Sequence, residues 1–327
     1  VIISQTPFRV SFAGGGSDLP AYYREHGGAV VSTAIDKYVY VTVSRKFDHT
    51  LRVSYSRTEE VETAAQLQHP IVREGLHMLG LEGGLEITSV ADIPSRGTGL
   101  GSSSSFAVGL MHALHAIEGR HVSAEQLADE ACRIEIEKCG EPIGKQDQYA
   151  AAYGGLNYIQ FLCDGSVHVE PIALSRGARE DLDRHFLMFY TGIMRSASDI
   201  LAGQSKALSD EGKKAEAMHR MVALAKELRD ELWRGNFNAM GRILHENWLL
   251  KQTLTDGITS GQINAWYERA TKAGALGGKL LGAGGGGFLL FYAPPGKHAA
   301  VKSTLSDLRP VAFSTESRGS KIIFVNQ

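Results

Sequence analysis

The densest chemistry in the chain lies from Pro94 to Ser105. There three glycines and five serines separate a short apolar segment, Leu85 to Ile93, from an apolar run, Phe106 to Ile117. Glycine permits close backbone approach, and a helix beginning among small residues offers unpaired N–H groups to an anion. The serine hydroxyls add donors, and one of them could reach a metal ion. The same composition suits a flexible linker. A loop running straight into Phe106, Val108, Leu110, Met111, Leu114 and Ile117 is poorly placed to be slack, however. The reading is a phosphate cradle, and not a Walker loop, because no Lys-Ser or Lys-Thr closes it.

Three carboxylates stand where chemistry would use them. Asp18 follows Gly14-Gly15-Gly16-Ser17 at the end of an apolar strand that carries Arg9. It suits either presentation to a sugar or metal, or an N-cap for a helix over Leu19 to His26. Glu135 lies on a helix opened by Ser123 and Gln126 at capping-box spacing and continuing to about Cys139. At 100° per residue it falls beside the face made by Leu127, Ala131 and Ile134, where a buried carboxylate needs a partner or a metal. Asp147 follows the helix-ending Gly140 to Gly144 stretch and precedes an alanine run. That position suits a second N-cap or a catalytic base.

The elements that position these groups change character along the chain. Val1 to Phe12, Ala29 to Val43, Leu51 to Tyr55, Leu85 to Ile93 and Tyr158 to Leu162 read as strands, with Asp36-Lys37 as a turn inside the second. Several strands precede the central helix, which makes this half an α+β layer and not a regular βαβ series. After a strand at Phe186 to Tyr190 come helices over Ala197 to Leu208, Lys214 to Arg234, Phe237 to Thr253 and Gln262 to Ala275. Phe288 to Tyr292 and Lys321 to Val325 read as further strands. A domain boundary near 175–185 divides residues 1–178 from 179–327.

With 327 residues, 43% apolar and 21% charged, the chain has the composition of a soluble globular protein with a large core. A formal charge of -2 gives no sign of a nucleic-acid or polybasic membrane surface. No run of eighteen apolar residues is present, and the first residues lack a signal-peptide pattern, although the chain starts at Val1 and not at Met. Cys132, Cys139 and Cys163 form no CxxC pair and read as reduced thiols, so a cytoplasmic location is expected. The 37 glycines exceed the usual ~7%, and they cluster at 14–16, 97–101 and 282–287, as a backbone-lined ligand site would require.

Three stretches together carry a resemblance. Thr6 to Asp18, Pro94 to Ser105 and Lys279 to Phe288 resemble, in order and spacing, the three motifs of the GHMP small-molecule kinases, and the likeness covers nearly the whole chain. It implies a ribosomal protein S5 domain 2-like α+β N-terminal domain and an α/β C-terminal domain, with the active site between them. It also implies ATP and Mg²⁺. Phe8 to Pro20, Gly144 to Gln148 and Phe189 to Ser196 further resemble the branch that phosphorylates heptose 7-phosphates at the anomeric hydroxyl.

On that resemblance, Asp147 is the catalytic aspartate and Arg9 the basic residue near the transferring phosphate. Pro94, Gly97, Gly99, Leu100, Gly101, Ser102, Ser103 and Ser104 belong to the nucleotide cradle, and Glu135 and Ser103 to the metal. Asp18, Gly16, Ser17, Gly284 and Gly285 face the substrate. A sugar that already carries a phosphate needs a second anion site. Lys145 and Arg195 are the first candidates, while Arg133 and Lys279 read more readily as solvated surface charges. His245, Trp248 and Lys251 recur at helical spacing, with Trp248 equally suited to interdomain core. The partner expected is a small sugar phosphate, with a homo-oligomer left open. The galactokinase branch carries Glu-His-Thr-Asp where this chain has Gly15-Gly16-Ser17-Asp18, so its hydroxyl recognition must differ. A free-sugar kinase and a nucleotide-binding regulator without turnover are the alternatives.

Overall fold

The computed structural model describes residues 1–94, 97–194, 197–208 and 213–326. The longest ladder pairs β1 (Ile2–Ala13) with β2 (Gly28–Arg45), antiparallel, with α1 (Pro20–His26) between them. Asp36 and Lys37 make no turn. β2 runs through them, and they are the extra residues of a bulge, since Pro7 pairs with Tyr38 but Phe8 pairs with Ile35. Pro7 has no N–H to give the ladder, so the irregularity falls where pairing is already weakened.

β3 (Leu51–Ser54) and β4 (Thr58–Val61) extend this sheet, with β3 lying parallel to β5 (Leu85–Ala91). α2 (Pro70–Leu79) connects them. The free edge of β2 is shared: β6 (Leu156–Phe161) takes residues 28–33 and β5 takes 39–45, while β7 (Val167–Pro171) pairs with β6. Across the sheet lies α3 (Ser102–Ile117), with α4 (Ala124–Cys132) and α5 (Gln146–Tyr153) packed on it. The helix expected to run regularly to Cys139 instead passes into a π-turn over Arg133–Lys138. Such turns are rare and recur at functional sites.

α6 (Arg176–Asp183) leads into a second, four-stranded antiparallel sheet. Its members are β8 (Phe186–Tyr190), β9 (Gly277–Leu280), β10 (Phe288–Tyr292) and β11 (Arg309–Val311). The helices α7 (Ala197–Leu208), α8 (Lys213–Trp233), α9 (Ala239–Gln252), α10 (Gly261–Lys272) and α11 (His298–Thr304) complete this half. β8 and β10 read as continuous apolar runs because both faces are covered. Phe186, Met188, Leu290 and Tyr292 pack into the same core as Phe12 and Val108, whereas Leu187, Phe189, Leu289 and Phe291 pack with Trp248 and Trp266. Alternation along a strand thus joins the two halves into one body. The chain then returns: β12 (Thr315–Glu316) pairs with β2, and β13 (Lys321–Val325) closes on β1 as an edge strand. No helix among the described residues is long and apolar enough to cross a membrane, and the three cysteines are free thiols.

Candidate active site

β1 carries Arg9 into the space between the halves, and a bidentate ion pair fixes it there. Its Nε and Nη2 each donate to an Asp147 carboxylate oxygen at 2.7 Å, while Nη1 donates to the Gly99 carbonyl at 2.6 Å. The Arg9 backbone N–H also bonds the Leu100 carbonyl. One residue therefore holds the glycine loop and the aspartate in register. Asp147 is at the second position of α5 and caps nothing with its side chain. Its Oδ1 accepts from Arg9 and from Gln146 Nε2, but among the described residues Oδ2 accepts from Arg9 alone. An ionised carboxylate oxygen has two acceptor sites, so Oδ2 keeps one lone pair for an incoming hydroxyl.

Beside this pair α3 begins. Its N-cap is Gly101 in the left-handed conformation, with no side chain among the described residues capping the free N–H groups of Ser102, Ser103 and Ser104 and no acid in the first turn. Such an end attracts anions. The loop is held from behind by backbone. A Cβ at Gly282 would lie 2.3 Å from Gly99 Cα, so the two glycine segments touch main chain to main chain. Gly282 and Gly287 thus serve close packing against the loop, while Gly284 packs on Ile258 and Gly286 on Ile193. Gly97, Gly99, Gly101, Ser102, Ser103 and Ser104 line a cavity of about 740 Å³. Leu100 is instead wholly buried in the core, and Pro94 is exposed away from the cavity.

Glu135 is fully buried by the π-turn yet borders the same cavity. Oε1 accepts from Ser103 Oγ at 2.6 Å and Oε2 from Gln148 Nε2 at 2.7 Å. Burial pushes its carboxyl up to about 7, against the pull of the Ser103, Ser104 and Gln148 hydrogen bonds, and the Asp147 charge adds to the rise. A carboxylate this costly to ionise, beside a serine hydroxyl and a phosphate-attracting helix end, fits a hard divalent cation. No cluster of three acidic, histidine or cysteine groups suited to a metal occurs among the described residues. Any cation here would therefore complete its shell with water or phosphate oxygens.

Asp18 does not cap α1, whose N-cap is Leu19. Its carboxylate accepts from the Gly16 and Gln146 backbone N–H groups, and burial followed by the Asp147 charge raises its pKa. It lines the cavity with Gly15 and Gly16. Ser17 does not: its hydroxyl exchanges hydrogen bonds with the Ala29 backbone on the far side. Gly284 lines the cavity, while Gly285 turns its N–H to the Ile258 carbonyl. Lys145 lies outside the lining, donating to the Gly165 carbonyl with its ammonium over the Tyr23 ring. Arg195 falls outside the described residues.

The sharpest departure concerns Lys279. Read from sequence as a surface charge, it is 1% exposed and borders the cavity, its Nζ donating to the Phe12 carbonyl. Lys251 joins it, 5% exposed and bonded to the Gly282 carbonyl. Arg133 is exposed and remote, His245 bonds Tyr267, and Trp248 is core. Gln204 was not anticipated at all. Its side chain is 1% exposed, borders the cavity, and leaves Nε2 without a partner among the described residues. A Cβ at Gly16 would fall 2.1 Å from that nitrogen, so Gln204 fills the space a longer side chain would take.

Known proteins share both sequence and shape with this chain. The profile of the GHMP kinases N terminal domain matches residues 57–155, and that of the GHMP kinases C terminal matches 221–308. D-glycero-alpha-D-manno-heptose 7-phosphate kinase of Campylobacter jejuni subsp. jejuni is 30% identical over 317 residues, covering 90% of each protein. The crystal structure of a D-glycero-D-manno-heptose 1-phosphate kinase from Bacteroides thetaiotaomicron superposes at TM-score 0.82 with 25% identity over 100% of both chains. A putative sugar kinase from Campylobacter jejuni superposes at 0.80 with 27% identity, over 99% of this chain and 98% of that one. The glycine-serine loop, the α3 end and the cavity between the halves lie within a likeness that spans the whole chain, and the chain belongs to the GHMP kinase family.

Proposed function

We propose that the protein transfers the γ-phosphoryl group of ATP to the anomeric hydroxyl of a heptose 7-phosphate, giving the 1,7-bisphosphate. The observation that carries this reading is the free lone pair of Asp147 Oδ2, held by Arg9 beside Gly101 at the open N-terminus of α3, on the wall of one cavity. The relative named as a heptose 7-phosphate kinase supplies the substrate class.

Phosphoryl transfer asks for alignment and charge more than for covalent chemistry. The N–H groups at the start of α3 take phosphate oxygens, and Arg9 offers its guanidinium edge to charge in transit. Asp147 orients the sugar hydroxyl and receives its proton as the new P–O bond forms. Asp18 accepts from sugar hydroxyls, and the Gln204 amide donates to one. Glu135 and Ser103 would hold Mg²⁺, which when bound offsets phosphate charge. Residues 1–178 and 179–327 would form the two domains, with β12 and β13 crossing back to the first sheet.

The placement of Lys145 outside the cavity favours a second reading, a kinase of the same family acting on an unphosphorylated sugar. An ADP-release assay with ATP and Mg²⁺ separates the two. Sugars are compared with and without their terminal phosphate, D-glycero-D-manno-heptose 7-phosphate among them. Preference for that substrate, with product phosphorylated at C1, supports the first reading, and preference for a free sugar supports the second. No turnover on any of them would leave neither standing.

A further inference from the structure

Lys251 and Lys279 are the charges that the scheme above does not use. Both are more than nine-tenths buried, both border the cavity, and each ammonium has one hydrogen bond among the described residues, to a backbone carbonyl. Neither forms an ion pair among those residues. Burial holds both pKa values down, and the neighbouring Arg9 pushes them further the same way. A buried cation with spare donors and no anion is unfavourable unless a ligand completes it.

The surroundings indicate which ligand. Lys251 hangs on the Gly282 carbonyl, and Gly282 packs directly on Gly99 of the phosphate loop. It also feels the charges of Asp18 and Asp147, so it stands within range of the carboxylate that receives the sugar proton. Lys279 is tied to Phe12, three residues along β1 from Arg9. The two ammonium groups and the Arg9 guanidinium therefore border one cavity together with the nucleotide loop and Asp147. We propose that Lys251 and Lys279, together with Arg9, form an anion site for the oxygens of the phosphoryl group in transit. This rests on the kinase reading. During transfer the bond from phosphorus to the β–γ bridging oxygen breaks and that electron pair leaves on ADP. The sugar oxygen forms the new P–O bond, its proton passes to Asp147, and the lysines remain bound to the nonbridging oxygens throughout.

The test compares affinity for ADP, which lacks the transferred group, with affinity for a non-hydrolysable ATP analogue, both with Mg²⁺, by titration calorimetry. In Lys251→Met and Lys279→Met, the analogue should weaken by roughly ten- to a hundredfold, the range of a lost charge-assisted hydrogen bond, while ADP changes less than about threefold. Lys251→Arg, which keeps the charge, should retain most of the discrimination. It also serves if a methionine variant does not fold, and an Arg variant that loses analogue and ADP binding equally would overturn the proposal. Equal loss of both nucleotides in a folded methionine variant, or loss of neither, would mean that the lysines only tie the backbone. Unchanged nucleotide binding with a raised KM for phosphorylated sugars alone would place the sugar's own phosphate there instead. A wild type that binds neither nucleotide overturns the kinase reading as well. One that discriminates ATP from ADP but turns over no heptose 7-phosphate overturns only the substrate.

Discussion

Arg9 with Asp147 and Lys251 with Lys279 are two ways of keeping charge inside one cleft. The first pair is closed: a fork of two 2.7 Å bonds neutralises both partners, Gly99 and Gln146 add one bond each, and among the described residues one Asp147 lone pair and two Arg9 N–H groups remain for a ligand. The second is open: two lysines border the same cavity, hydrogen-bonded among the described residues only to backbone carbonyls and in no ion pair, although the charges of Asp18 and Asp147 act on Lys251 at longer range. The closed pair is organised before any ligand arrives, as a group that aligns a nucleophile must be. The open pair is held in an unfavourable state that an anion would relieve. Preorganisation and ligand-dependent relief thus divide the cleft, and perturbing each should give different signatures.

The largest effect belongs to the closed pair. Asp147→Asn keeps the shape and an acceptor oxygen but loses the charge, so kcat should fall by roughly 10²- to 10⁴-fold while the analogue still binds. Near-normal kcat in steady-state assays would remove Asp147 as proton acceptor and leave it a positioning role. Glu135→Gln comes next, because the neutral amide still bonds Ser103 but attracts no cation. Half-maximal activity should then need on the order of tenfold more Mg²⁺ or greater. An unchanged Mg²⁺ titration would mean that Glu135 only braces α3 through Ser103.

For the open pair the informative quantity is stability. Burial depresses the Lys251 pKa from 10.5 to about 8, with Arg9 adding to it. A base whose folded pKa is lowered binds more protons when unfolded, so stability rises with pH between about 8 and 10.5, and the full penalty applies below that window. Its size is about 3 kcal/mol at 1.36 kcal/mol per pKa unit. Lys251→Met should therefore unfold at higher denaturant than wild type at pH 7, and the gap should close towards pH 10.5. A variant less stable than wild type at pH 7 would show that the bond to Gly282 outweighs the buried charge. Asp147→Met, by contrast, would strand the buried Arg9 guanidinium and should lower stability at pH 7, which is what separates the pairs.

The parts of this site written locally were legible, and the parts made by distant partners were not. The loop from Gly97 to Ser104 announced itself, because its glycines and the apolar run behind it are contiguous. Glu135 was legible as a carboxylate on a packed face, but the π-turn that buries it cannot be seen from a constant 100° per residue. Lys279 was misread because one lysine among Gly277, Gly278, Leu280 and Leu281 has no period of its own. All four residues of β9 are buried, and that lysine amid apolar neighbours was the signal available. Asp36-Lys37 reads as a turn until Pro7 is seen opposite, and the pairing of β13 with β1 leaves no local trace.

Gln204 is the neutral counterpart of the open pair, and its effect should be the smallest. Its Nε2 is buried without a partner among the described residues, on the cavity wall above Gly16. An unsatisfied amide is tolerated where a ligand completes it, and on the proposed function the hydroxyls of a sugar bound at Asp18 would be the acceptors for it. Gln204→Leu keeps the volume and removes the donor, so KM for the sugar should rise by roughly three- to tenfold with kcat and nucleotide affinity unchanged. Stability should hold or improve slightly, since a buried unsatisfied group is lost. A sugar KM equal to wild type would reduce Gln204 to packing over Gly16. Gly16→Ala would then decide whether that packing matters, because its Cβ must displace the Gln204 amide. If Gly16→Ala raises the sugar KM where Gln204→Leu does not, the opening at Gly16, and not the amide over it, selects the sugar.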